Sequence, residues 1–175
     1  ASFVLYDKAN RIIESGRANY SGTWQIFKDY ESYASSLTGK AEVTATNYDA
    51  PAYSFYGGFA QQRLRNRPAV VTYQDAPPRI DYAAGYSYDA MGNVTEVRQA
   101  YPVLGLSEDR STKRIEYEYD KLNGKVTRTI YQRDRPDQFI QITNYDASKR
   151  VREVQTATSL HTPAHLRETE ARFNY

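Results

Sequence analysis

The stretch Ile115-Glu116-Tyr117-Glu118-Tyr119-Asp120-Lys121-Leu122-Asn123-Gly124-Lys125-Val126 decides the fold class. Apolar and charged residues alternate strictly up to Tyr119. In a pleated strand that period of two puts Ile115, Tyr117 and Tyr119 on one face and both glutamates on the other. Turn residues follow at once. The Asp120 carboxylate can accept hydrogen bonds from backbone amides two residues on, and Gly124 supplies the positive φ that a β-carbon would penalise. Val126 then opens a return strand, so the segment reads as a β-hairpin.

Working outward, the same frame recurs as Val4-Leu5-Tyr6-Asp7-Lys8-Ala9-Asn10-Arg11-Ile12, as Tyr86-Ser87-Tyr88-Asp89-Ala90-Met91-Gly92-Asn93-Val94, and as Thr143-Asn144-Tyr145-Asp146-Ala147-Ser148-Lys149-Arg150-Val151. The copy at Tyr119 carries one extra turn residue. Thr46-Asn47-Tyr48-Asp49 keeps only the front half, and Phe173-Asn174-Tyr175 stops before its Asp. Lys149 suits a left-handed turn position less well than Asn10, Gly92 or Gly124. After the turns apolar residues stand three apart, as in Val94 and Val97 or Val151 and Val154, so a bulge is expected in the return strands. Self-similarity of this kind marks a repeat architecture. Hairpins are expected near residues 3–14, 43–49, 85–98, 115–131 and 140–155, with a truncated copy at 171–175 and insertions over 15–42 and 50–84. All of 1–175 reads as one segment.

These residues resemble the YD-repeat, or RHS-repeat, proteins, bacterial polypeptides with relatives in toxin complexes and teneurins. The resemblance is most specific between Gly85 and Val154. It implies a mainly β fold of antiparallel hairpin repeats forming part of a spiral β-sheet shell, with one or two short helices in the insertions. It also implies a non-catalytic role, in which the wall of a larger polypeptide encloses a passenger or toxin domain. The partners are then flanking repeats, the enclosed passenger and, as a candidate, secretion machinery; the setting is secreted or on the surface of a bacterium. Tyr6, Asp7, Tyr48, Asp49, Tyr88, Asp89, Gly92, Tyr119, Asp120, Gly124, Tyr145 and Asp146 are the repeat motif positions. Ala1 in place of a methionine and the interrupted copy at Tyr175 lead us to expect further repeats, or a pairing polypeptide, on both sides.

Composition agrees with an ordered β-rich chain: 17 tyrosines, 14% aromatic and 40% hydrophobic residues in 175, despite a mean hydropathy of -0.77. A net charge of +2 demands no anionic partner. With no cysteine, disulfides and thiol chemistry are excluded. No apolar run approaches the ~20 residues of a membrane-crossing helix, so membrane insertion is not expected. Within the insertions, Tyr30, Tyr33, Ala34 and Leu37 fall at helical spacing with Gly39 behind them, predicting a short helix over 29–38. Val70-Val71-Thr72-Tyr73 predicts a strand, and Pro102 to Thr112 a loop.

The chemistry-bearing constellations are thin. His161 and His165 stand four apart ahead of Glu168, yet Thr162-Pro163 reads as an N-cap and first-turn proline that puts His161 off the helix; no metal and no cofactor are expected. Nothing in the sequence resembles a nucleophile elbow or a catalytic Ser-His pair, and no catalytic residue is assigned. Arg63, Arg65 and Arg67 would share a face if extended, but edge arginines usually pair with carboxylates, so nucleic acid is not expected. Gly57-Gly58 reads as a turn. The alternative function is an extracellular adhesion or carbohydrate-binding β-module using surface tyrosines as stacking platforms.

Overall fold

The computed structural model describes residues 1–20 and 36–175. Among them eleven strands form one open antiparallel sheet in strict sequence order. They are β1 (Ser2–Tyr6), β2 (Ile12–Tyr20), β3 (Leu37–Tyr48), β4 (Pro68–Gln74), β5 (Tyr82–Tyr88) and β6 (Val94–Ala100), then β7 (Thr112–Tyr119), β8 (Val126–Tyr131), β9 (Phe139–Tyr145), β10 (Val151–Ala157) and β11 (Glu168–Arg172). In such a meander every odd-to-even connection lies on one rim. The five Tyr-Asp dipeptides therefore line a single rim, at the ends of β1, β3, β5, β7 and β9.

The expected bulges are present, and they recur in one register. Tyr6 pairs with Ile12 and Leu5 with Glu14, passing over Ile13. Tyr88 pairs with Val94 and Ser87 with Glu96; Tyr119 with Val126 and Glu118 with Arg128; Tyr145 with Val151 and Asn144 with Glu153. One extra residue per return strand sharpens the local twist and explains the three-residue apolar spacing.

Two expectations need correction. The Tyr48 copy does have a back half: Tyr48 pairs with Pro68 and Asn47 with Val70, passing over Ala69, so the return strand is β4, delayed by the 50–67 segment. Within the expected insertion 50–84, β4 and the start of β5 are thus part of the sheet. The helix predicted over 29–38 lies largely outside the described residues, but its last two residues, Leu37 and Thr38, begin β3. Gly39, expected to end that helix, sits inside β3 with φ +54 beside the Asn19 side chain, where the β2–β3 register shifts. The loop expected over 102–112 holds a 3-10 turn at Pro102–Leu104 and a helical turn at Glu108–Ser111.

Paired residues across an antiparallel sheet share a face. Following the register, Leu5, Val43, Val70, Ala83, Ile130, Ile140 and Ile142 lie on one face, which carries the core in three patches. Burying each large side chain such as Leu5 or Ile130, both at most 2% exposed, stabilises by about 1.5–3 kcal/mol. Over the central patch the 50–67 segment is folded down, with Phe55 and Leu64 buried against Val70, Ala83 and Ala100. Gln61 Nε2 donates to the carbonyls of Ala69 and Tyr86, fixing the segment to β4 and β5. Between the central patch and the Ile130 patch the same face is charged, as described below.

Candidate functional site

The Tyr-Asp rim is built from local chemistry. In four turns the Asp backbone N–H donates to the carbonyl of the residue preceding the return strand: Asp7 to Arg11, Asp89 to Asn93, Asp120 to Lys125 and Asp146 to Arg150, all at 2.8–2.9 Å. The Asp side chain closes the loop from within. Asp7 Oδ1 accepts from the Ala9 and Arg11 amides, Asp89 Oδ1 from Met91 and Asn93, Asp120 Oδ1 from Leu122, and Asp146 Oδ1 from Arg150. The second residue before the return strand is left-handed throughout, with φ of 61 at Asn10, 95 at Gly92, 69 at Gly124 and 62 at Lys149. Lys149 adopts it despite its β-carbon, a conformation the surrounding turn bonds must impose.

Asp49 uses the same frame across a longer detour. Its N–H donates to Arg67, the residue before β4, at 3.2 Å, so Arg67 stands where Arg11 stands in the first turn. Its carboxylate accepts from the Asn66 amide and from Arg11 Nη2, which ties the first two turns together.

Successive hairpins are joined by the tyrosines. Tyr48 Oη donates to the Ile12 carbonyl, Tyr88 to Pro68, Tyr119 to Val94 and Tyr145 to Val126, at 2.7–3.1 Å. Each acceptor is the first residue of the preceding return strand. Tyr175 repeats the contact, donating to Val151 at 3.1 Å. Cations complete the joint from the preceding turn: Arg11 lies 4.2 Å over the Tyr48 ring, Arg67 5.2 Å over Tyr88, Lys125 4.8 Å over Tyr145 and Arg150 4.1 Å over Tyr175. Asn93 occupies that place before Tyr119, whose joint is held by its hydroxyl bond at 2.7 Å. Tyr6, at the end of β1, is 44% exposed.

The electrostatics follow from these bonds. Backbone donation from Arg11 holds the Asp7 carboxyl below its ordinary value, as donation from Arg150 does for Asp146. The Asn93 amide side chain does the same for Asp89, and the Arg11 guanidinium for Asp49. Burial pushes the Tyr88 and Tyr119 hydroxyls upward, so they remain donors across the physiological range.

The remaining sequence candidates fall apart in space or turn inward. His161 and His165 are both exposed; Pro163, not Thr162, is the N-cap of the 3-10 turn Ala164–Leu166. Among the described residues no group of three or more His, Asp or Glu is placed to hold a metal ion, and no helix is long and apolar enough to cross a membrane. Arg63 takes a left-handed φ of 55, so Arg63, Arg65 and Arg67 do not form an extended stripe; Arg67 instead donates to the Arg63 carbonyl. Gly57 and Gly58 form a turn with φ of 78 and 68.

Sequence reasoning missed the charged band on the core face. Arg98 and Arg114 both reach Glu96, Arg114 and Arg133 both reach Glu116, and Arg133 and Arg128 both reach Glu118, at 2.8–3.5 Å. The alternation in β7 announced Glu116 and Glu118; Arg128 of β8 and Arg133 of the loop after β8, which pair with them, and the Glu96–Arg98 pair of β6 beside them are not connected by local pattern. No protein-family model and no curated protein matches this chain.

Proposed function

We propose that the chain is a stretch of non-catalytic wall in a larger β-sheet shell of the YD-repeat kind, enclosing a passenger or toxin domain of the same polypeptide. The observation carrying this reading is the serial joint on the rim. Every Tyr-Asp tyrosine after the first is used to bond a hairpin to its predecessor, and four of the five joints, Tyr175 included, have a cation on the ring. A hairpin built this way buries its apolar face only by stacking on neighbours, the logic of a repeat array. The same use of the tyrosines weighs against the carbohydrate-binding alternative, because their hydroxyls are spent on hairpin joints and an Arg or Lys already occupies one ring face in four of the five joints. Flanking repeats, a secretory route and a bacterial surface are parts of this proposal, drawn from the resemblance.

Electron microscopy of the product of the complete gene tests it. A hollow particle with separate density inside is expected, and replacing His161 and His165 with Ala leaves any activity of the parent unchanged. A complete product that forms no enclosure and binds immobilised glycans saturably would replace the wall reading by the adhesion module.

A further inference from the structure

The charged band ends at a cavity of about 170 Å³ between the 50–67 segment and the loop after β8. That is the volume of roughly five or six water molecules. Its lining includes Arg98, Arg114, Arg133 and Arg135, with Thr112 and Gln132, and no carboxylate. Arg98 is fixed from two sides, by Glu96 at 2.8 Å and by the Tyr56 carbonyl at 2.9 Å, and Arg133 by Glu116 at 2.8 Å. Gln132 is 5% exposed and its Oε1 accepts from the Arg114 backbone N–H, which anchors this side of the cavity to β7.

The charges do not cancel there. In the band, Arg98, Arg114, Arg128 and Arg133 share three carboxylates, Glu96, Glu116 and Glu118, and Arg135 has no carboxylate within 4 Å among the described residues. Asp109 is close enough to feel the Arg135 charge but does not line the cavity. Arg114 Nε is buried and makes no hydrogen bond among the described residues; it lies 3.1 Å from Glu96 Oε1 but is not aligned with it. A buried guanidinium donor left unmade is costly, and four guanidinium groups lining one cavity carry the charge and the planar donor pairs that oxyanion oxygens accept.

We propose that this cavity binds a small oxyanion of the phosphate class, held by Arg98, Arg114, Arg133 and Arg135. The site is independent of the wall reading: it needs only the fold of β6 to β9 and the segment over it.

Titration of the full chain with inorganic phosphate, followed by calorimetry and by NMR of the arginine Nε–H groups, tests this. Saturable binding with shifts of the Arg98, Arg114 and Arg133 signals is expected, absent with sodium chloride at matched ionic strength. Arg135→Ala, an exposed loop position outside the glutamate band, keeps the fold and weakens phosphate binding roughly fivefold or more. Arg79→Ala, in the loop before β5 and 64% exposed, leaves it unchanged. Non-saturable shifts, equal shifts with chloride, or wild-type affinity in Arg135→Ala would overturn the proposal.

Discussion

Gly85→Ala sets two effects of opposite sign against each other, and the structure says which wins. Gly85 lies mid-strand in β5, paired with Val70 and Arg98. Its backbone is not left-handed, so alanine fits the conformation, and losing a mid-strand glycine alone would stabilise by about 0.5–1 kcal/mol. A β-carbon there, however, would stand 2.5 Å from Phe55 Cε2, 2.8 Å from Phe55 Cζ and 3.0 Å from Phe59 Cε1. The Phe55 ring cannot simply swing away. It is 5% exposed and held edge-on by Tyr53 at 4.8 Å and Phe59 at 5.7 Å. Overpacking of this kind costs about 1–3 kcal/mol, so the net expectation is a loss of about 1–2 kcal/mol, or roughly 2–8 °C in Tm for a chain of this length. Urea unfolding of the double-mutant cycle isolates the clash. In a Phe55→Ala background, itself destabilised by about 3–5 kcal/mol, Gly85→Ala should become neutral or stabilising. If Gly85→Ala is as stable as the parent, or carries the same penalty with and without the Phe55 ring, the packing of the 50–67 segment on β5 is wrong.

On the rim, Tyr119→Phe keeps the ring and removes the bond to Val94, so about 1 kcal/mol is lost in chemical denaturation; no change would show the joint carries no energy. Asn93→Arg supplies the missing cation while its Nε can take over the bond Asn93 makes to Asp89, as Arg11 and Arg150 do to their aspartates. It should gain about 0.5–1 kcal/mol, and lose that gain when Tyr119 is replaced by Leu. Gly124→Ala costs about 1 kcal/mol from its φ of 69 alone, since nothing lies within 4 Å of the added carbon. Because Asp7, Asp49, Asp89 and Asp146 have lowered native pKa values, their contribution is present above the ordinary aspartate value of about 3.9 and is lost as pH falls through the lower native values. Thermal melts from pH 5 to pH 2 should show a fall in Tm that Asp→Asn changes at Asp7, Asp89 and Asp146 make shallower.

What could be read in the sequence was what short-range physics writes there. A turn closed by its own aspartate, with a left-handed residue two before the return strand, occupies nine or ten consecutive positions, so the hairpins at Tyr6, Tyr88, Tyr119 and Tyr145 are visible, bulges included. The hairpin at Tyr48 reads as half a copy because its closing bond, from Asp49 to Arg67, skips the whole 50–66 stretch. Helical spacing at Tyr30 to Leu37 misled at its end because Leu37 and Thr38 answer to pairing with Tyr20 and Asn19 across the sheet. The arginine cavity was illegible for a similar reason. Arg98, Arg114 and Arg133 meet only because β6, β7 and β8 lie side by side, and Tyr56 joins them only because Phe55 packs on Gly85.

The tyrosine joints also have a direction. In every one the hydroxyl belongs to the later hairpin and the accepting carbonyl to the earlier, so each of these hydroxyl bonds needs no acceptor that has not yet been made. A chain emerging N-terminus first from the ribosome can therefore lay the sheet down one hairpin at a time, each new tyrosine meeting an acceptor already in place. Contacts between neighbouring strands keep the loops to be closed short, which favours rapid folding. Chains stalled after a given hairpin should then already hold the strands laid down before it, an order that pulse-labelling of stalled nascent chains can follow.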